Sequence, residues 1–236
     1  MPYCYIFCPG TGAALKICQL CNDWYIISAH TLYRTAMSRP LEFDRDTALK
    51  AAMQLFWRKG YSATSMAELL EVMGIGRSSF YAAFTDKRSL FIETLQLFGE
   101  RTRLILVQAR AERGPAAAIA EFFDYTLLQV PMRRARRGCM MVNTILELAD
   151  VDDELGDLAT THLKQVEREF EDCFAAAQAA GELPADRSPA QLAGCLMLVN
   201  QGLRVASRKR VSRRELAGTL DTALSLLQLP AVANTI

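Results

Sequence analysis

The stretch TSMAELLEVMGIGRSSFYAAFTDK, running from Thr64 to Lys87, decides how this chain is read. Ser65 and Glu68 stand at capping-box spacing, so each can satisfy a backbone donor of the other. Met66, Leu69, Leu70 and Met73 then repeat on one helical face, which predicts a short helix over 65–73. Gly74-Ile75-Gly76 breaks it, because Gly74 is free to take the left-handed conformation that lets a chain leave a helix. Another short helix follows over 77–83. Phe80 and Phe84 lie four apart and turn inward, while Ser78, Tyr81 and Ala82 turn outward, with Ser79 at the flank and Arg77 at the N-terminal end. Asp86 is placed to cap the next helix.

Toward the N-terminus, Ala48, Ala51, Ala52, Leu55 and Phe56 fall at i, i+3, i+4, i+7 and i+8. They predict a helix over 44–59 that Gly60 ends. Three short helices with a tight glycine turn before the third form the geometry of a helix-turn-helix. The third helix enters the major groove with its N-terminal residues at base edges, and the second backs onto phosphates. Gly76, Arg77, Ser78 and Ser79 occupy the reading end, where small side chains let the helix sit deep. Arg77 is the residue there able to contact guanine in bidentate fashion. Tyr81 and Lys87 suit phosphates, which fix register rather than sequence. Thr64 and Ser65 stand at a helix N-terminus, a natural phosphate site. A dinucleotide loop is excluded, since no strand precedes Gly74-x-Gly76 and no third glycine follows at the right spacing.

With these residues in place, 44–98 resembles the DNA-binding domain of the TetR/AcrR family of one-component regulators. The resemblance rests on Thr64-Ser65-Met66, Gly74-Ile75-Gly76-Arg77-Ser78-Ser79-Phe80-Tyr81, Phe84, Asp86-Lys87 and Leu90. Ala83 and Arg77 depart from the residues common at those positions, so no operator sequence carries over. The resemblance implies an all-α fold, with an N-terminal three-helix helix-turn-helix domain and a C-terminal helical ligand-binding and dimerisation domain. It also implies a homodimer formed by the last two helices, a palindromic double-stranded DNA operator, and a small-molecule inducer. Repression is the family default.

The remainder of the chain reads as helices. One runs from Asp86 to about Arg110, where Gly114-Pro115 punctuates, and another covers 115–130. Arg133-Arg134-Ala135-Arg136-Arg137 reads as a basic loop, solvated or in contact with phosphate. An apolar helix over 138–148, a long one from Asp152 to Ala180, one from Pro189 to Lys209 and a last one from Ser212 complete the chain. Leu192, Leu196, Val199 and Leu203, with Leu216, Leu220, Leu224 and Leu227, form the apolar faces assigned to the dimer interface. Gly194 and Gly202 would let helices approach closely. Phe122, Phe123, Tyr125, Met140, Asn143 and Phe174 mix apolar walls with polar groups, as ligand sites do. Cys139 joins them, at a helix N-terminus behind four arginines, a setting that lowers a thiol pKa. The run Gly138-Cys139-x3-Asn143-x3-Glu147-Leu148 resembles a branch of the family that includes sensors of reactive electrophiles. The competing reading is an inert packed cysteine.

The chain has 236 residues, 51% of them hydrophobic, with 27 basic and 26 acidic side chains. The balance of charge excludes a histone-like coat but not a sequence reader with a local footprint. Seven cysteines, four of them in the first 21 residues, do not form a secreted disulfide framework. No apolar run reaches the ~18–20 residues of a membrane span, and a reducing cytoplasm is the expected compartment. Residues 1–36 differ from the rest in lacking a helical period. They read as an atypical extension from an upstream start choice, poorly ordered or absent in the cell. The spacing Cys4-x3-Cys8 and Cys18-x2-Cys21 suggests a zinc site, but the middle spacer is short for one. Domains are therefore expected at 1–36, 37–90 and 91–236. No metal and no cofactor is expected. An enzyme would need a site centred on Cys139 with no evident partner base, and only His30 and His162 are present. A helical ligand-binding or adaptor protein with vestigial DNA binding is the other alternative.

Overall fold

The computed structural model describes residues 4–7, 14–17 and 43–232. Contacts divide the chain into a unit over 1–40 and a unit over 41–236. In the first, β1 (Cys4–Phe7) pairs antiparallel with β2 (Ala14–Ile17), Cys4 opposite Ile17. The disfavoured four-cysteine zinc site and the extension reading both fall on residues 1–36, most of which lie outside the described residues.

The second unit is helical throughout its described part, as expected. Helix α1 (Arg45–Lys59) opens on Asp44, whose side chain accepts from the Asp46 amide, and ends at Gly60 with φ 86°. Its buried residues include the expected Ala48, Ala52, Leu55 and Phe56, and also Leu49, Met53 and Trp57. Leu49, Met53 and Trp57 recur every four residues, so α1 carries a second apolar stripe and is covered on two sides. Helices α2 (Met66–Met73) and α3 (Arg77–Phe84) follow, and α4 (Lys87–Arg113) continues as one rod past the expected domain boundary at 90/91.

Helix α4 packs on α1 at one end and on α5 (Pro115–Phe123) and α8 (Asp153–Ala179) along its length. Gly99 lets α4 and α8 meet, since a Cβ there would stand inside contact distance of the His162 ring. Arg103 bridges Glu100 and Glu169, and Arg110 reaches Glu169 and Asp172, lacing the same seam. The helix expected over 115–130 does not run through. After α5 the backbone widens into a π-helical segment, Asp124–Leu128. Arg204 holds that segment, donating to the Thr126 carbonyl (2.7 Å) and hydroxyl (2.5 Å). The basic run forms a short helix, α6 (Met132–Ala135), and α7 (Met140–Leu148) begins on Cys139. Helices α9 (Pro189–Ser207) and α10 (Arg213–Leu226) close the unit. No helix among the described residues is long and apolar enough to cross a membrane.

The seven leucines and one valine assigned to a dimer interface stand elsewhere in the structure. Leu192, Leu196, Leu203, Leu216, Leu220, Leu224 and Leu227 are buried within the single chain, and Val199 packs against the same core. They pack where α9 meets α8 and α10 within the one chain, which leaves little of their surface outward. The outer face of α9 is a different stripe, Gln191, Cys195, Leu198, Gly202 and Val205, at heptad spacing. Leu198 is 70% exposed, and Leu226 on α10 is 74% exposed.

Candidate nucleic-acid interface

Ser65 caps α2 and forms the full capping box, its hydroxyl accepting from the Glu68 amide while the Glu68 carboxylate accepts from the Ser65 amide. Lys59 adds an ion pair to the same carboxylate at 2.5 Å. Gly74 then takes the left-handed conformation (φ 66°, ψ 30°) and donates its amide back to Glu71 and Leu70. Ile75 donates to the Leu70 carbonyl (3.2 Å), which sets the angle at which α3 departs. Gly76 precedes α3 without any side-chain cap, so the first amides of α3 are left for an outside acceptor.

Helix α3 divides by face as its sequence predicts. Phe80 and Phe84 are fully buried and touch each other at 5.8 Å between ring centroids. Arg77, Ser78, Tyr81 and Ala82 are exposed and Ser79 is half-buried. Tyr81 lies edge-on to Phe80 at 5.3 Å, which props its hydroxyl end outward. Arg45 closes the far end of α3: its guanidinium lies 4.5 Å from the Phe84 ring centre, donates to the Ala83 carbonyl and pairs with Glu93. Thr85 turns the chain at φ 62°, and Asp86 caps α4 by accepting from the Ser89 amide at 2.7 Å. That hydrogen bond holds the Asp86 carboxyl below its ordinary value. Lys87 stands over the Tyr61 ring at 4.3 Å, and burial there pulls its ammonium below the usual lysine range.

Thr64 departs from its expected place. Its side chain is buried, and its hydroxyl donates to the Gly60 carbonyl at 2.6 Å. It therefore locks the α1–α2 corner instead of offering a hydroxyl to a phosphate. Ser65 is exposed, but its hydroxyl is already engaged in the capping box.

The expected ligand residues separate into three places. Phe122, Phe123 and Phe174 are fully buried, the first two stacked edge-on and face-on around Phe170 between α5 and α8. Tyr125 faces outward from the π segment and is 38% exposed. Met140 is buried at the start of α7. Asn143 donates to the Arg137 carbonyl (2.8 Å) and accepts from Arg208 (2.8 Å), so it serves the loop before α7. Cys139 is half-buried beside Arg204, whose guanidinium burial pulls down and Cys139 pushes up.

Periodicity gave no hint of the ties that join the helix-turn-helix to the rest of the unit. Glu147 of α7 accepts from the Tyr61 and Ser62 amides (3.1 and 2.7 Å). Arg88 at the start of α4 forms a bidentate pair with Asp152 (both 2.9 Å) and reaches Glu154. The Trp57 indole donates to the Gly138 carbonyl at 3.1 Å and meets Phe98 edge-on at 5.0 Å. Partners 41 to 86 positions apart leave no mark in local spacing. The one available signal was the second stripe on α1, which ends on Trp57.

The capping box also has an acid signature. Lys59 first, and then the Ser65 amide and hydroxyl, hold the Glu68 carboxyl at about 2 against an ordinary 4.5. Its contribution is complete above the ordinary value and fades as pH falls through about 2. Melting temperature followed from pH 5 to pH 2 should fall less steeply in Glu68→Gln than in the unaltered protein. Identical slopes would remove Glu68 from the acid response.

Residues 48–94 match the family described as bacterial regulatory proteins of the tetR family, and 115–223 match the tetracyclin repressor-like C-terminal domain. The HTH-type transcriptional repressor ComR of Escherichia coli K12 is 32% identical over 82% of this chain and 93% of its own. The transcriptional regulator AcuR of Cereibacter sphaeroides is 28% identical over 61% of this chain and 67% of its own. A cysteine-substituted form of the TetR-family regulator CifR, solved with 26-base-pair double-strand operator DNA, superposes with a TM-score of 0.66. It is 30% identical, over 82% of this chain and all of CifR. The chain therefore belongs to the TetR family of bacterial regulatory proteins. It is a DNA-binding transcriptional regulator and not an enzyme.

Proposed function

We propose that this protein is a homodimeric repressor that grips a palindromic double-stranded operator through α3 and releases it when a small-molecule inducer occupies the C-terminal domain. The observation that carries this reading is the split of α3. Two buried phenylalanines fix the helix from behind, while Arg77, Ser78 and Tyr81 stand exposed beside an uncapped N-terminus. CifR, of similar fold, was solved on operator DNA, and ComR is a repressor by name. Gly76, Arg77, Ser78 and Ser79 face the bases in this reading, with Tyr81, Lys87 and the Ser65 end of α2 on phosphates. The DNA-binding domain spans 37–90 and the ligand and dimer domain 91–236.

The dimer forms on the outer stripe of α9 and α10. Leu198, Val205 and Leu226 supply exposed apolar surface, and Gly202 and Gly218 have open space around them for a close helix approach. Pairing across a twofold axis sets two α3 helices about one DNA turn apart, roughly 34–36 Å. Inducer release works through the ties at Trp57, Glu147 and Arg88, because a ligand acts by preferring the domain arrangement that cannot span both half-sites.

Fluorescence anisotropy on DNA from upstream of the protein's own gene, at two salt concentrations, tests the reading. Arg77→Ala should weaken specific binding by about 1–3 kcal/mol, roughly 5- to 150-fold, and leave the salt slope nearly unchanged. Absence of any salt-sensitive DNA binding would overturn it.

A further inference from the structure

Five arginines converge on one cleft of about 340 Å³: Arg58, Arg133, Arg136, Arg137 and Arg208. They arrive from three parts of the fold, namely the last turn of α1, the α6 segment, and the exit of α9. Among the described residues none of the five pairs with a carboxylate. The arginines along α4 do the opposite, since Arg88, Arg103 and Arg110 each meet acidic partners. Burial, and then the like charges of Arg58 and Arg133, hold the Arg137 guanidinium below its ordinary range.

This crowding is fixed in place by side-chain and backbone hydrogen bonds. Arg137 donates to Gln54 of α1 at 2.5 Å, and its own carbonyl accepts from Asn143 (2.8 Å) and Arg208 (3.3 Å). Gly138 follows at φ 71°, with the Arg208 side chain 3.2–3.3 Å from where a Cβ would stand. Its carbonyl accepts from Trp57. A solvated basic run would spread its charges apart, whereas this loop is tied so that they face one volume.

We propose that the cleft is an effector site for a small polyanion carrying phosphate or several carboxylates. Guanidinium forks recognise both groups through paired, charge-assisted hydrogen bonds. The volume lies at the lower end of the range for small-molecule sites. Charges that converge from three sides suit a compact ligand better than a DNA strand, which needs them laid out along a track. Arg58 belongs to the DNA-binding domain and the other four to the C-terminal domain, so a bound anion ties the two together. The effect on DNA rests on the regulator reading above, but the binding itself does not.

Isothermal titration with pyrophosphate and with citrate tests the site, using the full chain and the double variant Arg133→Ser, Arg136→Ser. Both positions are exposed, so the variant keeps its core. The unaltered protein should bind at least one of the two anions, and the variant should bind it at least tenfold more weakly. At one hundred times Kd the melting temperature should rise by about 5–10 °C in the unaltered protein alone. Preference for pyrophosphate marks a phosphate ligand, and preference for citrate a polycarboxylate. At matched ionic strength the anion should change DNA affinity roughly fivefold or more in the unaltered protein and not in the variant. No binding of either anion, or equal binding by protein and variant, overturns the site. Binding that leaves DNA affinity unchanged overturns the effector role. If neither anion binds and the variant instead loses DNA affinity with a shallower salt slope, the arginines hold DNA phosphates. The inference then falls while the regulator reading stands.

Discussion

Phe80→Ala should abolish DNA binding by unfolding the reading head, not by removing a contact to DNA. Phe80 is fully buried, and its ring meets both Phe84 and Tyr81. Truncating a buried phenylalanine costs about 3–5 kcal/mol, from lost burial and from the cavity left behind. Domains of this kind hold only about 5–15 kcal/mol in total, and α3 is a helix of 8 residues that cannot persist alone. Urea unfolding followed by circular dichroism should show a midpoint shift of that size. DNA affinity should fall for specific and random sequence alike, which distinguishes this variant from Arg77→Ala. A loss under about 1 kcal/mol would mean that α3 is held by something other than its two phenylalanines.

Trp57→Ala should have the second large effect, and on a different property. Trp57 is almost wholly buried, meets Phe98 edge-on, and is approached by the Arg134 and Arg137 guanidiniums at 5.5 Å. Removing the ring should cost about 3–5 kcal/mol. Trp57→Phe keeps most of the apolar body but leaves the Gly138 carbonyl without its donor, for about 1–3 kcal/mol. Both variants should loosen residues 137–140, read as faster amide hydrogen exchange there than in the α4–α8 seam. Protection that falls evenly through the chain would show Trp57 to be ordinary core and not a tie between the two domains.

The pairing of α2 and α3 was legible because each determinant is local. Ser65 and Glu68 are three residues apart, Gly74 needs only its own backbone freedom, and Phe80 and Phe84 share a face by helical period alone. The caps at Asp44, Asp86, Asp152, Ser188 and Ser212 follow the same logic, each accepting from an amide two or three residues ahead. The π segment at 124–128 was not legible. Its wider turn is held by Arg204, 78 positions away, and nothing between Pro115 and Val130 announces it.

Which face of a helix turns inward is a harder question than whether a helix forms. Helix α9 carries two apolar stripes, and the richer one, Leu192, Leu196 and Leu203, belongs to the core of its own chain. The poorer one, with Leu198 and Val205, is the side left outward. A single sequence contains both and ranks neither, because the choice depends on what α8 and α10 present to it. The same holds for the arginine cleft and for Thr64. From the sequence, Arg133 to Arg137 is a charged loop, and Arg58 and Arg208 are unrelated to it. Thr64 reads as a cap-side hydroxyl until the α1–α2 corner buries it. The sequence by itself determined the helices, their caps and the reading head, since those are set by neighbours within a turn or two. Only the tertiary structure decided the partners of each face, the ties between domains and the gathering of five like charges. Those depend on side chains brought together across 60 to 150 positions by packing, and no local period encodes them.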